Sequence, residues 1–304
     1  MADVVAAYDC GSNSTRLLIA DAARTPVRRE MTITRLSAGV DGAGSLSEAA
    51  LERTYRALGR YRVLCDEAGV NRGLVVATSA VRDARNGAAF LTRACELTGV
   101  EARVVTGREE AQYSFAGATA DLRVVDEPTV IVDVGGGSTE LALGLHGDVV
   151  SYSMQLGCVR VSERALGHGV VSARGESLAR AMIADELAAA FAAVPQFDAL
   201  AGRLRLVGLA GTVATVAQLD AGVDYYAREV VHHRVVSRDT VEYWRTVLAR
   251  ETPEERLAHP GMVEGREDVI VAGLYVLEAV MDRLGVGEML SSENDILDGI
   301  VASL

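Results

Sequence analysis

The chain has 304 residues, 49% apolar and 24% charged, enough for one large or two ordinary globular domains with a sizeable core. Its net charge of −12 argues against broad nucleic-acid or membrane-surface binding, and no apolar run approaches the ~20 residues that a bilayer requires. All 30 basic residues are arginine, so neither the lysine of a P-loop nor the strand lysine of a protein kinase is available. The four cysteines, at 10, 65, 95 and 158, form no CxxC pair, and the five histidines form no HExxH and no zinc-spaced cluster. The N-terminus lacks the basic region of a signal peptide. The expectation is a cytoplasmic protein with reduced thiols, no histidine-built metal site, no nucleic-acid partner and no membrane.

Apolar runs and turn residues predict strands over 4–9, 15–21 and 27–36. Ser45 and Glu48 have capping-box spacing and open a helix expected to reach about residue 68, closed by Gly69. A strand over 73–78, a helix over 84–98, a strand over 101–106 and a helix over 109–118 follow. The first 120 residues thus read β-β-β-α-β-α-β-α. A second series has strands over 129–134, 139–144 and 148–153, then helices near 159–166 and 176–194. It continues with a strand over 204–209, a helix over 212–219, a strand over 233–237, helices over 239–250 and 267–284, a strand over 288–291 and a closing helix over 295–303.

The two series share their order, and each opens on the same turn. Residues 6–17 read AAYDCGSNSTRL and residues 130–141 read VIVDVGGGSTEL. Overlaid without a gap they match at Asp9 and Asp133, Gly11 and Gly135, Ser14 and Ser138, Thr15 and Thr139, and Leu17 and Leu141. A three-stranded meander followed by alternating strands and helices, present twice, looks like the actin-like, ribonuclease H-like duplication. The expected fold class is α/β, with two actin-like domains and a ligand cleft between them.

In each copy an aspartate ends a strand and a short polar turn leads into the next. Glycine and asparagine permit positive φ, so the backbone N–H groups of Ser12, Asn13 and Ser14, and of Gly135, Gly136, Gly137, Ser138 and Thr139, are expected to converge on an oxyanion. Two ordinary hairpin turns would explain either copy alone; the gapless repeat favours a shared phosphate ligand. Asp133 and Glu140 flank the second turn as hard oxygen donors and imply Mg²⁺ or a similar cation such as Mn²⁺. In the first copy Arg16 occupies the place of Glu140.

Other blocks sit where strands meet helices. In TGREEAQYSFAG, 106–117, the adjacent Glu109 and Glu110 begin a helix, where acids suit the dipole. Adjacent helical residues point ~100° apart, so one of them at most faces a site, where it would orient and deprotonate a water. ATSAVRDARN, 77–86, supplies Arg82 and Arg85 as phosphate clamps or as surface arginines. GLAGTVAT, 208–215, puts Gly211 and Thr212 at a helix N-terminus, an anion site in principle and a weak signal alone.

Together with LGCVR at 156–160, GREDVIVAG at 265–273 and SSENDILDGI at 291–300, these blocks resemble the exopolyphosphatase / guanosine pentaphosphate phosphohydrolase family of the actin-like superfamily, from about Val4 to Val301. The resemblance implies that Glu110 is the catalytic base, that Asp133 and Glu140 are Mg²⁺-associated acids with Asp9 in the same set, and that both turns and Arg82 contact phosphate. It implies a closing helix packed back on the first domain, giving domains 1–124 with 292–304 and 125–291, and a homodimer. Cys10 and Thr106 depart from commoner family residues. Longer relatives carry a helical domain of the HD type beyond the point where this sequence stops, so weaker processivity and a preference for shorter chains are expected.

The activity implied is release of terminal phosphate from inorganic polyphosphate. The same apparatus would serve a pppGpp 5′-phosphatase, and (p)ppGpp is a candidate inhibitor. Two other readings stay open: an actin-like kinase or ATPase, and a non-catalytic alarmone sensor.

Overall fold

The computed structural model describes residues 3–123, 127–145 and 148–304. The expected domain boundary at 124/125 lies outside the described residues. β1 (Val5–Cys10), β2 (Ser14–Ala20), β3 (Pro26–Ile33), β4 (Arg72–Ala77) and β5 (Glu101–Val104) form one sheet in the order β3-β2-β1-β4-β5. The first three are antiparallel, and β4 and β5 run parallel to β1.

β6 (Thr129–Val134), β7 (Thr139–Leu145), β8 (Asp148–Met154), β9 (Arg205–Leu209), β10 (Val235–Ser237) and β11 (Glu288–Ser291) form the second sheet, ordered β10-β11-β9-β6-β7-β8. Here β8, β7, β6, β9 and β11 stand where β3, β2, β1, β4 and β5 stand in the first, and β10 is an added edge. The duplicated order, each antiparallel meander extended by parallel strands, is that of the two-domain actin-like fold. Both central strands, β1 and β6, are buried along their whole length, so they read as continuous apolar runs rather than alternating ones.

Contacts divide the chain into Met1–Gly117 with Ile296–Leu304, and Ala118–Asp295. In the first unit the sheet has two apolar faces. Ala6, Tyr8 and Cys10 join Phe90 and Leu58 of the helices Gly87–Thr98 and Glu48–Glu67 on one side. Val5 and Ala7 point the other way, onto Ile296, Ile300 and Val301 of the closing helix Ile296–Ser303. By the period of two, Asp9 shares the face of Val5 and Ala7. That helix meets helix Gly107–Thr119 backbone to backbone: a Cβ on Gly299 would lie 2.0 Å from the Tyr113 carbonyl oxygen. In the second unit one continuous core joins β6 and β7 to helices Ala173–Ala193, Ala210–Ala221 and Ile270–Leu284.

Several boundaries differ from expectation for identifiable reasons. The helix expected to start at Ser45 starts at Glu48 and is capped by Ser47, whose side chain accepts from the Ala50 N–H. Asn86 bonds both the N–H and the C=O of Leu46 and so holds that residue outside the helix. The helix expected over 159–166 is one α-turn, Cys158–Val161, continued by a π-turn, Ser162–Leu166. Short helical turns at Val40–Ala43, Ser79–Arg82 and Pro253–Leu257 lie where no helix is expected.

Candidate active site

The two hairpin turns are built alike. In the first, the Gly11 N–H donates to the Ser14 carbonyl at 3.0 Å, and a Cβ on Gly11 would stand 3.2 Å from that oxygen. In the second, a Cβ on Gly135 would stand 3.0 Å from the Ser138 carbonyl. Left-handed backbone, expected from the glycines and Asn13, is not used: Gly11, Asn13, Gly135, Gly136 and Gly137 all lie outside the positive-φ residues. Glycine is needed here for close approach of backbone to backbone, not for conformational freedom.

Each turn is braced from behind. The Thr34 and Arg35 N–H groups donate to the Asn13 carbonyl, the Ser37 N–H donates to that of Ser12, and the Ser12 and Ser79 hydroxyls bond at 2.9 Å. Among the described residues the buried Asn13 carboxamide has no hydrogen-bond partner. The second turn rests on the LGCVR block: Cys158 N–H donates to the Gly135 carbonyl, and Val159 and Arg160 N–H groups donate to that of Gly136. Gly157 packs so tightly there that a Cβ would sit 2.4 Å from the Gly136 carbonyl. Thr139 Oγ1 donates to the Leu156 carbonyl at 2.5 Å.

One strand position separates the copies. Asp9 pairs with Arg16 across the first hairpin, and Asp133 with Glu140 across the second. Residues directly opposed on antiparallel strands share a face, with Cβ atoms ~5 Å apart. Arg16 binds Asp9 Oδ2 through Nη2 at 2.6 Å and Nε at 3.0 Å. Asp9, expected in the metal set, is therefore neutralised by its own neighbour. Asp133 and Glu140 bring two largely or wholly buried carboxylates to one spot, a donor set of the hard oxygen type that suits Mg²⁺ or Mn²⁺.

The acid pair divides its work. Thr106 and Glu109 form a capping box at the start of helix Gly107–Thr119: the Glu109 carboxylate accepts the Thr106 N–H at 2.8 Å, and the Thr106 hydroxyl accepts the Glu109 N–H at 3.2 Å. Arg103 adds an ion pair at 2.9 Å. The Thr106 N–H first, then Arg103, hold the Glu109 carboxyl below its usual range. Glu110, one position on, is only 8% exposed. Its Oε2 lies 3.2 Å from Arg82 Nη1, which also donates to the Val105 carbonyl at 2.9 Å. Arg82 Nη2 has no partner among the described residues. Arg85 is engaged elsewhere, donating to the Ala43 carbonyl.

The GLAGTVAT joint is more enclosed than a bare helix N-terminus. Ala210 has φ 66, a left-handed conformation unusual for alanine. Arg266 covers Gly211, where a Cβ would lie 1.6 Å from its Nη1, and Thr212 is packed against Gly273. Arg266, from the GREDVIVAG block, and Ser153, whose hydroxyl donates to Glu140 Oε1 at 2.7 Å, are site neighbours that sequence reasoning missed.

The fold also assembles a cluster with no spacing signal. Asp121, His232 and His233 place ligand-type atoms within 4.8 Å of one another. The Glu293 N–H donates to His232 Nδ1 at 3.0 Å, so the neutral ring carries its proton on Nε2, 2.9 Å from Asp121 Oδ2. Burial favours that neutral form. This polarity makes a hydrogen-bonded clasp and opposes a metal at Nε2.

Among the described residues no helix is long and apolar enough to cross a membrane. The model of the Ppx/GppA phosphatase family matches residues 18–304. Exopolyphosphatase 2 of Mycobacterium tuberculosis is 39% identical over 317 aligned residues, covering 99% of this chain and 98% of that protein. The crystal structure of an exopolyphosphatase-like protein is similar at TM-score 0.92 and 32% identity, covering 98% of both chains. That of the Aquifex aeolicus member of the Ppx/GppA family is similar at TM-score 0.81 and 27% identity, covering 100% of this chain and 97% of that one.

Proposed function

The chain belongs to the Ppx/GppA phosphatase family, and from that premise we propose that it is a divalent-cation-dependent exopolyphosphatase that releases the terminal phosphate of inorganic polyphosphate by attack of water. The likeness to Exopolyphosphatase 2 supports the substrate class. The observation that carries the chemistry is the divided acid pair: Glu109 closes a capping box, while Glu110 stands buried against Arg82.

Glu110 takes a proton from the attacking water. The water oxygen bonds to the terminal phosphorus, the bridging P–O bond breaks, and its electron pair leaves on the penultimate phosphate. Glu110 then returns its proton to solvent, and no covalent enzyme intermediate forms. Arg82, anchored on Val105, offers Nη2 to a phosphate oxygen. Ser12, Asn13 and Ser14, and Gly135 to Thr139, donate to phosphate through backbone and hydroxyl groups; Gly211 and Thr212 offer a helix N-terminus. Asp133 and Glu140 would hold Mg²⁺ or Mn²⁺, which when bound neutralises phosphate charge. Asp9 serves by fixing Arg16. The proposed setting is a homodimer in the cytoplasm, with 1–124 plus 292–304 and 125–291 as its domains and (p)ppGpp as an inhibitor or alternative ligand.

Phosphate release from polyphosphate and from pppGpp, with Mg²⁺ and with EDTA, tests this directly. The expected result is Mg²⁺-dependent release from polyphosphate, reduced ~10²–10⁴-fold in Glu110→Ala with the circular dichroism spectrum unchanged. Near-normal turnover by that variant would remove Glu110 from the chemistry. Preference for pppGpp would assign the same site to alarmone metabolism. No release from either substrate, with tight nucleotide binding, would make the protein a sensor.

A further inference from the structure

A row of three side chains crosses one face of the second sheet. Asp133 on β6 stands opposite Glu140 on β7, and Glu140 stands opposite Ser153 on β8. Glu140 is 0% exposed, and the Ser153 hydroxyl donates to its Oε1 at 2.7 Å. The last torsion of a glutamate is broad and roughly two-fold, so an unrestrained carboxylate samples many orientations. A donor fixed on one oxygen narrows that range.

The first sheet carries the same row with other chemistry. Asp9 stands opposite Arg16, and Arg16 opposite Met31 on β3. Met31 is 44% exposed and donates nothing. The duplicated fold therefore forms without a hydroxyl at this position. Its presence in the second copy follows the carboxylate beside it.

We propose that Ser153 is a positioning residue that holds Glu140 in the orientation a divalent cation requires. The inference rests on Asp133 and Glu140 being the cation's carboxylates. Groups behind a metal ligand typically change affinity or activity 10–100-fold when removed. Ser153→Ala is expected to weaken binding of Mg²⁺ by ~10-fold, measured by calorimetry on the full chain without polyphosphate, and of Mn²⁺ by electron paramagnetic resonance. Ser153→Thr, which keeps the hydroxyl on a residue suited to strands, is expected to restore most of the affinity. At saturating Mg²⁺ the KM for polyphosphate should match wild type.

Glu140→Gln, measured in parallel, separates the two levels of the claim. Weakened binding in Glu140→Gln with wild-type binding in Ser153→Ala would overturn the positioning role alone. Wild-type binding in Glu140→Gln would overturn the assignment of Glu140 to the cation, and this inference with it. Equal weakening in the Ala and Thr variants, with a lowered Tm in both, would show that Ser153 acts by packing and would also overturn the proposal.

Discussion

In the first unit the aspartate near the end of β1 faces an arginine across the hairpin; in the second, the aspartate near the end of β6 faces a glutamate. Backbone register, turn length and the close glycine contact agree between the copies. One exchange at one row position changes the chemistry. Asp9 and Arg16 neutralise each other and fasten β1 to β2. Asp133 and Glu140 set two carboxylates side by side, and a hydroxyl stands behind the glutamate. Duplication preserved where side chains stand, and what they do was then decided residue by residue.

Exchanging the rows tests this. Glu140→Arg writes the first unit's row into the second. It is expected to lose cation binding and at least ~10²-fold in phosphate release, with the circular dichroism spectrum recorded alongside to separate this loss from unfolding. Activity within a few-fold of wild type would show that the acid pair is not the difference that matters. Arg16→Glu writes the second row into the first. Breaking a largely buried pair, and adding a like charge, is expected to lower stability by ~3 kcal/mol or more in urea unfolding. Partial recovery on adding Mg²⁺ would show that the row alone makes a cation site; an unchanged midpoint would show that the ion pair does not hold this hairpin.

The contrast recurs on a smaller scale between Glu109 and Glu110. Glu109→Gln is expected to cost ~1 kcal/mol of stability, as for a lost cap, with kcat little changed. The Glu109 carboxyl is held below its usual range, so its contribution is full above the unfolded value of ~4.3 and fades as pH falls through the lower folded value. The Tm gap between variant and wild type should therefore narrow below about pH 4. A large fall in kcat would mean that Glu109 shares the chemistry.

Much of this was legible before any coordinates. The gapless repeat located both turns, and the order of apolar runs identified the duplicated sheet. The Thr106-x-x-Glu109 spacing is itself a capping box, so the division of the acid pair is written in the sequence. The helix expected to open at Ser45 is capped by Ser47 instead, because the Asn86 carboxamide holds Leu46 outside it. At Gly11 and Gly135 the requirement is close approach and not a left-handed backbone: a carbonyl stands about 3 Å from where each Cβ would be.

The sequence by itself determined the strand runs, the repeated turns and the absence of lysine chemistry, because these depend on residues a few positions apart. Tertiary structure alone decided which partner each side chain meets: Arg82 with Glu110, Arg266 over Gly211, His232 with Asp121. Those partners lie 28, 55 and 111 residues apart. A side chain's partner depends on strand order and on which helices pack together, and no local pattern encodes either.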